Sequence, residues 1–410
     1  MPANLTLIQL VSEQTMQNLL PVLRLKPAKL VHLATPRTVA RSALIAEAAR
    51  QSQCQVQLQT IPLSAMPSMR ETHDAVLAAI EDEAAAGRDC ILNFTGGTKL
   101  MGIGAYVAAS KHRVSSLYVD TQDSLFVDGQ TGDGLSEVMG NDLSFTPILR
   151  ALTVHAVARA NGCSRITAGR DWRPFLPLAE ALLGDPTLER VVHEAVHGKT
   201  GLMPGAREPR TPADWLPFFD HEFALPEPVA ALSVEAGLLE AGSRPSSCRL
   251  PSATRPHLER LTRERVPDFA AQYFVAVAPL QQALSFLTGG WWEVVLARKA
   301  TDSGRFRDIR WSVQVGERGG ADLEEDVIAL DGVQVVYISC KRGGHKARLL
   351  PLLDEITARA RTLGGTFTRR YLAIYETPRG RVLDNLESRA RELGIRLLFP
   401  GSLSAADPFA

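Results

Sequence analysis

The chain has 410 residues, 45% of them hydrophobic and 22% charged, with 45 Lys and Arg against 45 Asp and Glu. That length predicts two or three domains with real cores, and the zero net charge argues against a protein that coats nucleic acid non-specifically. Five scattered cysteines with no CxxC pair argue against a disulfide frame or a zinc site, and no apolar run approaches the roughly 20 residues that span a bilayer.

The start "MPANLTLIQLVSEQ" lacks the basic n-region and apolar stretch of a secretory signal, so a soluble, cytoplasmic protein with reduced thiols and no membrane partner is expected. "LTLIQLV" predicts a buried strand, "TMQNLLPVLRL" a helix and "AKLVHLAT" a second strand closed by Thr35, Pro36 and Arg37. "TVARSALIAEAAR" (helix), "QVQLQTIPL" (strand), "MRETHDAVLAAIEDEAAA" (helix) and "DCILNFT" (strand) continue the alternation. This pattern predicts a mostly parallel, doubly wound sheet, in which ligands sit beyond the carboxyl ends of the strands. Three loops fall there together: Ser12-Glu13-Gln14, Thr35-Pro36-Arg37, and Asn93 through Lys99.

The last of these, "NFTGGTK", breaks a strand at Gly96 and Gly97 and resumes as a helix near Thr98 or Lys99. Two glycines let a ligand approach the backbone, and the unpaired N–H groups of a helix start face it, which is anion-binding geometry. Thr95, Thr98 and Lys99 add hydroxyls and a charge for a phosphate or ribose. The stretch is neither a Walker A loop nor a dinucleotide fingerprint, and a tight strand-to-helix turn with no ligand is the alternative. "SSLYVDTQDSLFVDGQ" predicts a hairpin, with Asp128-Gly129 a turn signal.

From about 145 to 285 the pattern weakens and prolines crowd in, suiting a linker and a small helical, winged-helix-like module; "LERVVHEAV" and "PEPVAALSVEAGLLEAG" predict two of its helices. Six Arg between 244 and 265 make it locally basic. The final third predicts helix "GGWWEVVLARKATD", strands "RDIRWSVQV", "LEEDVIALDG" and "VQVVYISCKRGG", helix "LLPLLDEITARARTLGG", strand "RRYLAIYE", helix "RVLDNLESRARELG" and strand "IRLLF". The expected boundaries are 1–145, 146–280 and 281–410.

Within that third Asp326 enters an apolar strand and Lys341 ends another, and a turn at Asp331-Gly332 would bring these ends together. Glu293 on the packed helix could join them. Such a carboxylate cluster binds Mg²⁺ or Mn²⁺, and the lysine can orient water or stabilise charge on a scissile phosphate. A surface hairpin with ordinary end-of-strand charges is the alternative. Ten Lys or Arg against three acidic residues between 341 and 381 would suit a phosphate backbone. His345 reads as an ordinary loop residue.

The spacing Glu-x32-Asp-x12-Ser-Cys-Lys resembles the PD-(D/E)xK nuclease core, and "GGWWEVVL" and "EEDVIALDGVQVVYISCK" resemble CARF-domain effector nucleases of type III CRISPR systems. "LVSEQTMQNLLPVLRLKPAKLVHLAT" and "NFTGGTK" resemble the same family's amino-terminal CARF domain. The resemblance implies a Rossmann-like CARF domain and a restriction-endonuclease-like α/β domain, acting in antiviral defence. It implies a homodimer that binds cyclic oligoadenylate, with cyclic tetra-adenylate the expected allosteric activator, and cuts DNA by nicking or single-strand degradation, with RNA cut by some members. Gly96, Gly97, Thr98 and Lys99 would hold a phosphodiester and ribose, and Ser12, Gln14, Asn18, Thr35 and Arg37, with Asn93 and Thr95, the rest of the ring. Ser339 stands where the family has an acidic residue, so the metal would draw its charge from Asp326 and from Glu293, Glu325 or Glu355, the last lying on the helix where this superfamily relocates its acid. A ligand-sensing, DNA-binding regulator with a decayed nuclease domain is the competing expectation, and a ring nuclease acting through the CARF loop a third.

Overall fold

The computed structural model describes residues 4–129, 133–140, 142–198, 202, 209–316, 323–343, 346–405 and 407–409. Its first unit runs β1 (Leu5–Leu10), α1 (Met16–Leu25), β2 (Lys29–Ala34), α2 (Val39–Gln51), β3 (Gln57–Pro62), α3 (Met69–Ala85), β4 (Asp89–Asn93), α4 (Lys99–Lys111), β5 (Ser115–Asp120) and β6 (Leu125–Asp128). The sheet order is β3-β2-β1-β4-β5-β6, parallel except for β6. β1, central and buried along its whole length, is the continuous apolar strand a parallel sheet needs on both faces. The order reverses between β1 and β4, so the crevice beyond their carboxyl ends lies between the Ser12 and Gly96 loops. The β5–β6 turn is residues 121–124, where Asp120 Oδ1 accepts from Gln122 N and Asp123 N. Asp128-Gly129 therefore does not form it: Gly129 N pairs with Ser116 O at the far end of the hairpin.

Residues 133–285 hold α5 (Asp133–Met139), α6 (Thr146–Leu149), α7 (Val154–Asn161), β7 (Arg165–Ile166), α8 (Leu176–Gly184), α9 (Pro186–His197), α10 (Pro212–Trp215), β8 (Phe223–Ala224), α11 (Glu227–Glu235), β9 (Glu240–Ala241), β10 (Ser247–Arg249), α12 (Arg255–Arg263) and α13 (Phe269–Ser285). Asp185 caps α9, accepting from Thr187 N at 2.8 Å with Pro186 in the first turn. Strands β8-β10-β9 form a small antiparallel sheet packed on α11.

The last unit contains α14 (Trp291–Asp302), β11 (Arg307–Gly316), β12 (Leu323–Asp331), β13 (Gln334–Lys341), α15 (Lys346–Gly364), β14 (Arg369–Ile374), α16 (Arg381–Glu392) and β15 (Ile395–Leu398). Its sheet, β15-β14-β13-β12-β11-β7, takes its edge strand β7 from the region before it. Trp291 and Trp292 of α14 are buried on one face, and Leu349, Leu353 and Ile356 of α15 on the other. The expected turn at Asp331-Gly332 is present, Gly332 taking φ +59°. α7 packs against both α2 and α15, so the α15 face and the first unit share one apolar core. Among the described residues no helix is long and apolar enough to cross a membrane.

Candidate functional site

The β12–β13 ladder runs from Asp331↔Gln334 to Val327↔Ile338 and stops there. At that end Asp326 Oδ2 accepts from Cys340 N at 2.6 Å, Ser339 Oγ at 3.3 Å and Lys341 Nζ at 3.4 Å. A backbone donor and two side chains thus fix one carboxylate oxygen. Glu293 enters from the first turn of α14, its Oε2 accepting from Trp311 Nε1 at 2.7 Å. Burial raises the Glu293 carboxyl well above the usual range, and the negative charge of Asp326 adds to the rise. Burial pulls down the Lys341 ammonium, but the negative charge of Asp326 outweighs it and leaves its pKa above the ordinary value. The Cys340 thiol, buried and facing Asp326, is pushed well up and is no nucleophile. A cavity of about 750 Å³ opens onto Glu293, Glu324, Asp326 and Ser312.

The sequence expectation for Glu293, Asp326, Ser339 and Lys341 corresponds to one place in the fold. Glu325 and Glu355 need correction. Neighbouring strand residues face opposite ways, and Glu325 turns toward α15, where it accepts from Arg359 Nη1 at 3.2 Å; Glu355 pairs with the same guanidinium at 2.6 Å. The two belong to a Glu325–Arg359–Glu355 group. The acid that shares the cavity is Glu324, held by Ser312 Oγ, and the two-residue alternation from Asp326 already pointed to it. Trp311 carried no such signal. Arg342, next to the lysine, is clamped by buried Glu189 of α9 at 2.6 Å. His345 lies outside the described residues.

The donor set suits a hard divalent ion. Two neighbouring carboxylates, with Asp326 raising the proton affinity of Glu293 and one lysine to offset them, gain from a cation between them, and Mg²⁺ needs only one or two carboxylates beside water and phosphate oxygens. Among the described residues no three His, Cys, Asp or Glu side chains gather closely enough to form a full ligand set.

At the other end, Gly96 is buried where a Cβ would collide with Leu10 O, and Gly97 takes φ +78°. Thr98 caps α4, accepting from Met101 N at 3.3 Å. Gly97, Thr98 and Lys99 are exposed beside the Ser12 loop. Ser12, Gln14 and Thr35 are partly exposed at the same crevice, and exposed Arg37 pairs with Glu13 at 2.8 Å. Asn18 and Asn93, expected to touch a ligand, are fully buried. Asn18 accepts from Ser12 N and donates to Leu10 O, while Asn93 donates to Gln9 Oε1 and Gln17 O and accepts from Thr95. Thr95 Oγ1 in turn accepts from Val119 N at 2.7 Å. All three shape the loops.

Residues 6–133 match the family model of the Card1 CARF domain, and residues 280–406 that of the Card1-like endonuclease domain, together more than half of the chain. Among solved structures, Can2 from Sulfobacillus thermosulfidooxidans in complex with cyclic tetra-adenylate is 16% identical with a TM-score of 0.59, over 98% of this chain and 94% of that one. Protein VC1899 from Vibrio cholerae is 14% identical with a TM-score of 0.64, over 98% and 96%. At these identities the likeness is one of fold. No curated protein matches.

Proposed function

Because the chain belongs to the family of CARF-domain effectors with a Card1-like endonuclease domain, we propose that it is a metal-dependent nuclease of type III CRISPR defence, switched on by a cyclic oligoadenylate. The observation that carries the reading is the convergence of Asp326, Ser339, Lys341 and Glu293 at one end of the β12–β13 ladder. Asp326 and Glu293 would hold Mg²⁺ or Mn²⁺, which when bound lowers the pKa of water and offsets charge on the scissile phosphate. Cys340 N and Trp311 Nε1 keep the two carboxylates aimed, and the Lys341 ammonium faces the position where charge builds on the phosphate. Ser339 contributes a neutral hydroxyl to Asp326.

In the CARF unit, exposed Gly97, Thr98 and Lys99, with Ser12, Gln14, Thr35 and Arg37 nearby, are the groups for phosphate and ribose, and the Can2 neighbour was solved with cyclic tetra-adenylate. Exposed Leu100 and Ile103 of α4 and Met69 of α3 would pack against a second copy, placing a two-fold ligand on a two-fold axis. DNA, with RNA as a second substrate, is the proposed target.

A second reading, a ligand-sensing DNA-binding regulator, is favoured by Ser339 and by the two-carboxylate donor set. One assay separates the two: pure protein with Mn²⁺, with and without cyclic tetra-adenylate, on supercoiled DNA, single-stranded DNA and RNA. Ligand-dependent cleavage is expected, undetectable in Asp326→Ala and about 10²–10³-fold slower in Lys341→Ala. Binding of the ligand with no cleavage of any substrate selects the regulator.

A further inference from the structure

The cavity holding Glu293, Glu324 and Asp326 has a second wall, and its chemistry differs from the first. α13 presents Phe274, Ala278, Gln281, Gln282 and Ser285 to it, a spacing of 4, 7, 8 and 11 residues that is one stripe of a helix. Phe274 stands at the solvent end of this stripe with 65% of its surface exposed, an unusual position for a phenylalanine. Its neighbour Tyr273 is fixed, accepting from Trp215 Nε1 at 3.1 Å and stacked on Phe269 with rings 6.1 Å apart and 3° from parallel. The Gln281 and Gln282 amides are half-buried and have no hydrogen-bond partner among the described residues. Arg170, from the strap after β7, puts an exposed guanidinium with no ion pair among the described residues into the same cavity. From Phe274 to Ser285 the stripe runs about 16 Å toward the start of α14, where Glu293 sits.

We infer that this stripe is a binding platform for the unpaired bases of a single-stranded nucleic acid: Phe274 stacks on a base, Gln281 and Gln282 meet base edges, and Arg170 takes a backbone phosphate. The inference rests on the nuclease reading above and adds the feature that selects single strands. The exposed Phe274 ring, touching Tyr273 only at a tilt of 54°, offers a face to any base, whereas the bases of a duplex have both faces covered by their neighbours. Unpartnered amides suit base edges, which present donors and acceptors side by side. The free cation complements a phosphate that must lie close to the carboxylates for the strand to be cut.

The test is fluorescence anisotropy in metal-free buffer with a short labelled single strand and a duplex of the same sequence, using the full-length protein with and without cyclic tetra-adenylate. Phe274→Ala is expected to weaken single-strand binding about 5- to 150-fold and duplex binding less than about 2-fold, with Phe274→Trp restoring the single strand. Arg170→Ala is expected to weaken both and to lower the salt slope for the single strand by about 0.7. Equal binding by Phe274→Ala and the parent protein overturns the platform, as does a Phe274→Ala chain that changes its oligomeric state, which would assign the ring to a subunit contact. These outcomes differ from failure of the nuclease reading, in which the parent protein cuts no nucleic acid at all.

Discussion

At the scale of single residues, one carboxylate step along β12 separates two kinds of acid. Glu324 shares the cavity with Asp326 and Glu293, while Glu325, only 2% exposed, is paired on the opposite face with Arg359. Burial raises the Glu325 carboxyl, and Tyr337 and Arg359 only partly offset that rise. Glu324→Gln is therefore expected to lower cleavage about 10- to 100-fold, as loss of a group supporting a metal site does, with an unchanged melting temperature. Glu325→Gln should do the reverse, costing about 1–3 kcal/mol of stability by unbalancing half-buried Arg359, with cleavage per folded molecule retained. Cleavage rates beside thermal melts of the two variants check both expectations, and equal loss of activity in the two would put Glu325 back among the ligands. The meeting of Asp326 with Lys341 was legible because a charged residue at the end of an apolar strand is costly unless used or paired. Glu325 and Glu355 were misplaced because sequence spacing does not show that one arginine, 34 and 4 residues away, has already claimed them.

Secondary-structure elements tell the same story with different physics. Alternating strands and helices made the parallel sheet readable, whereas Gly96, read as a place where a ligand nears the backbone, is buried and makes room for Leu10 O. Less readable were Asn18, Asn93 and Thr95, polar residues at the Ser12 and Gly96 loops that are consumed in fastening them, since their partners come from β1, α1 and β5. His32 of β2 belongs to this hidden class: Nδ1 lies 2.8 Å from Ser42 Oγ of α2 and Nε2 3.2 Å from the Gln9 amide of β1. Burial lowers its pKa from 6.5 to about 4. The folded state holds the ring neutral while the unfolded chain takes up a proton near pH 6.5, so this contribution is complete above pH 6.5 and is lost as pH falls toward 4. The full loss is about 3 kcal/mol. Glu83, clamped by Arg88 with Lys29 and Thr6 to a pKa of about 2, loses its contribution only as pH falls from 4.5 toward 2, and His155 and His193, which burial also lowers, with Glu293 and Glu325, which burial raises, are common to parent and variant, so the difference between the two melts from pH 6.5 to 5 reports His32. The parent protein should lose stability across that interval and His32→Gln should lose much less; parallel curves would locate the acid sensitivity elsewhere.

For the whole molecule, the proposed switch requires a ligand at the Gly96 loop to act on carboxylates in a different sheet. α7 is the physical candidate, because it packs against α2 of the first unit and α15 of the last, and the two share an apolar core. Its last residue, Asn161, is buried and joins three parts: its Oδ1 accepts from Thr15 Oγ1 at 3.1 Å, its backbone oxygen accepts from Arg41 of α2, and it abuts Gly365, which follows α15. Thr15 directly follows the Ser12-Glu13-Gln14 loop, so a ligand that moves this loop acts on Asn161 through one hydrogen bond. Gly365 sits at φ +75° between α15 and β14, the strand paired along β13 up to Lys341. A ligand shifts such an equilibrium only by its difference in affinity for the two arrangements, and coupling of this kind amounts to about 1–3 kcal/mol. Asn161→Ala removes the side-chain link and leaves both sites untouched. It is expected to reduce stimulation by cyclic tetra-adenylate about 2- to 30-fold, the range for residues along a coupling route, while calorimetric affinity for the ligand changes little and basal cleavage persists. Thr15→Val, which removes only the hydroxyl, should give the same direction with a smaller effect. Equal loss of basal and stimulated cleavage in both variants would reduce α7 to a packing element and move the coupling to the subunit interface.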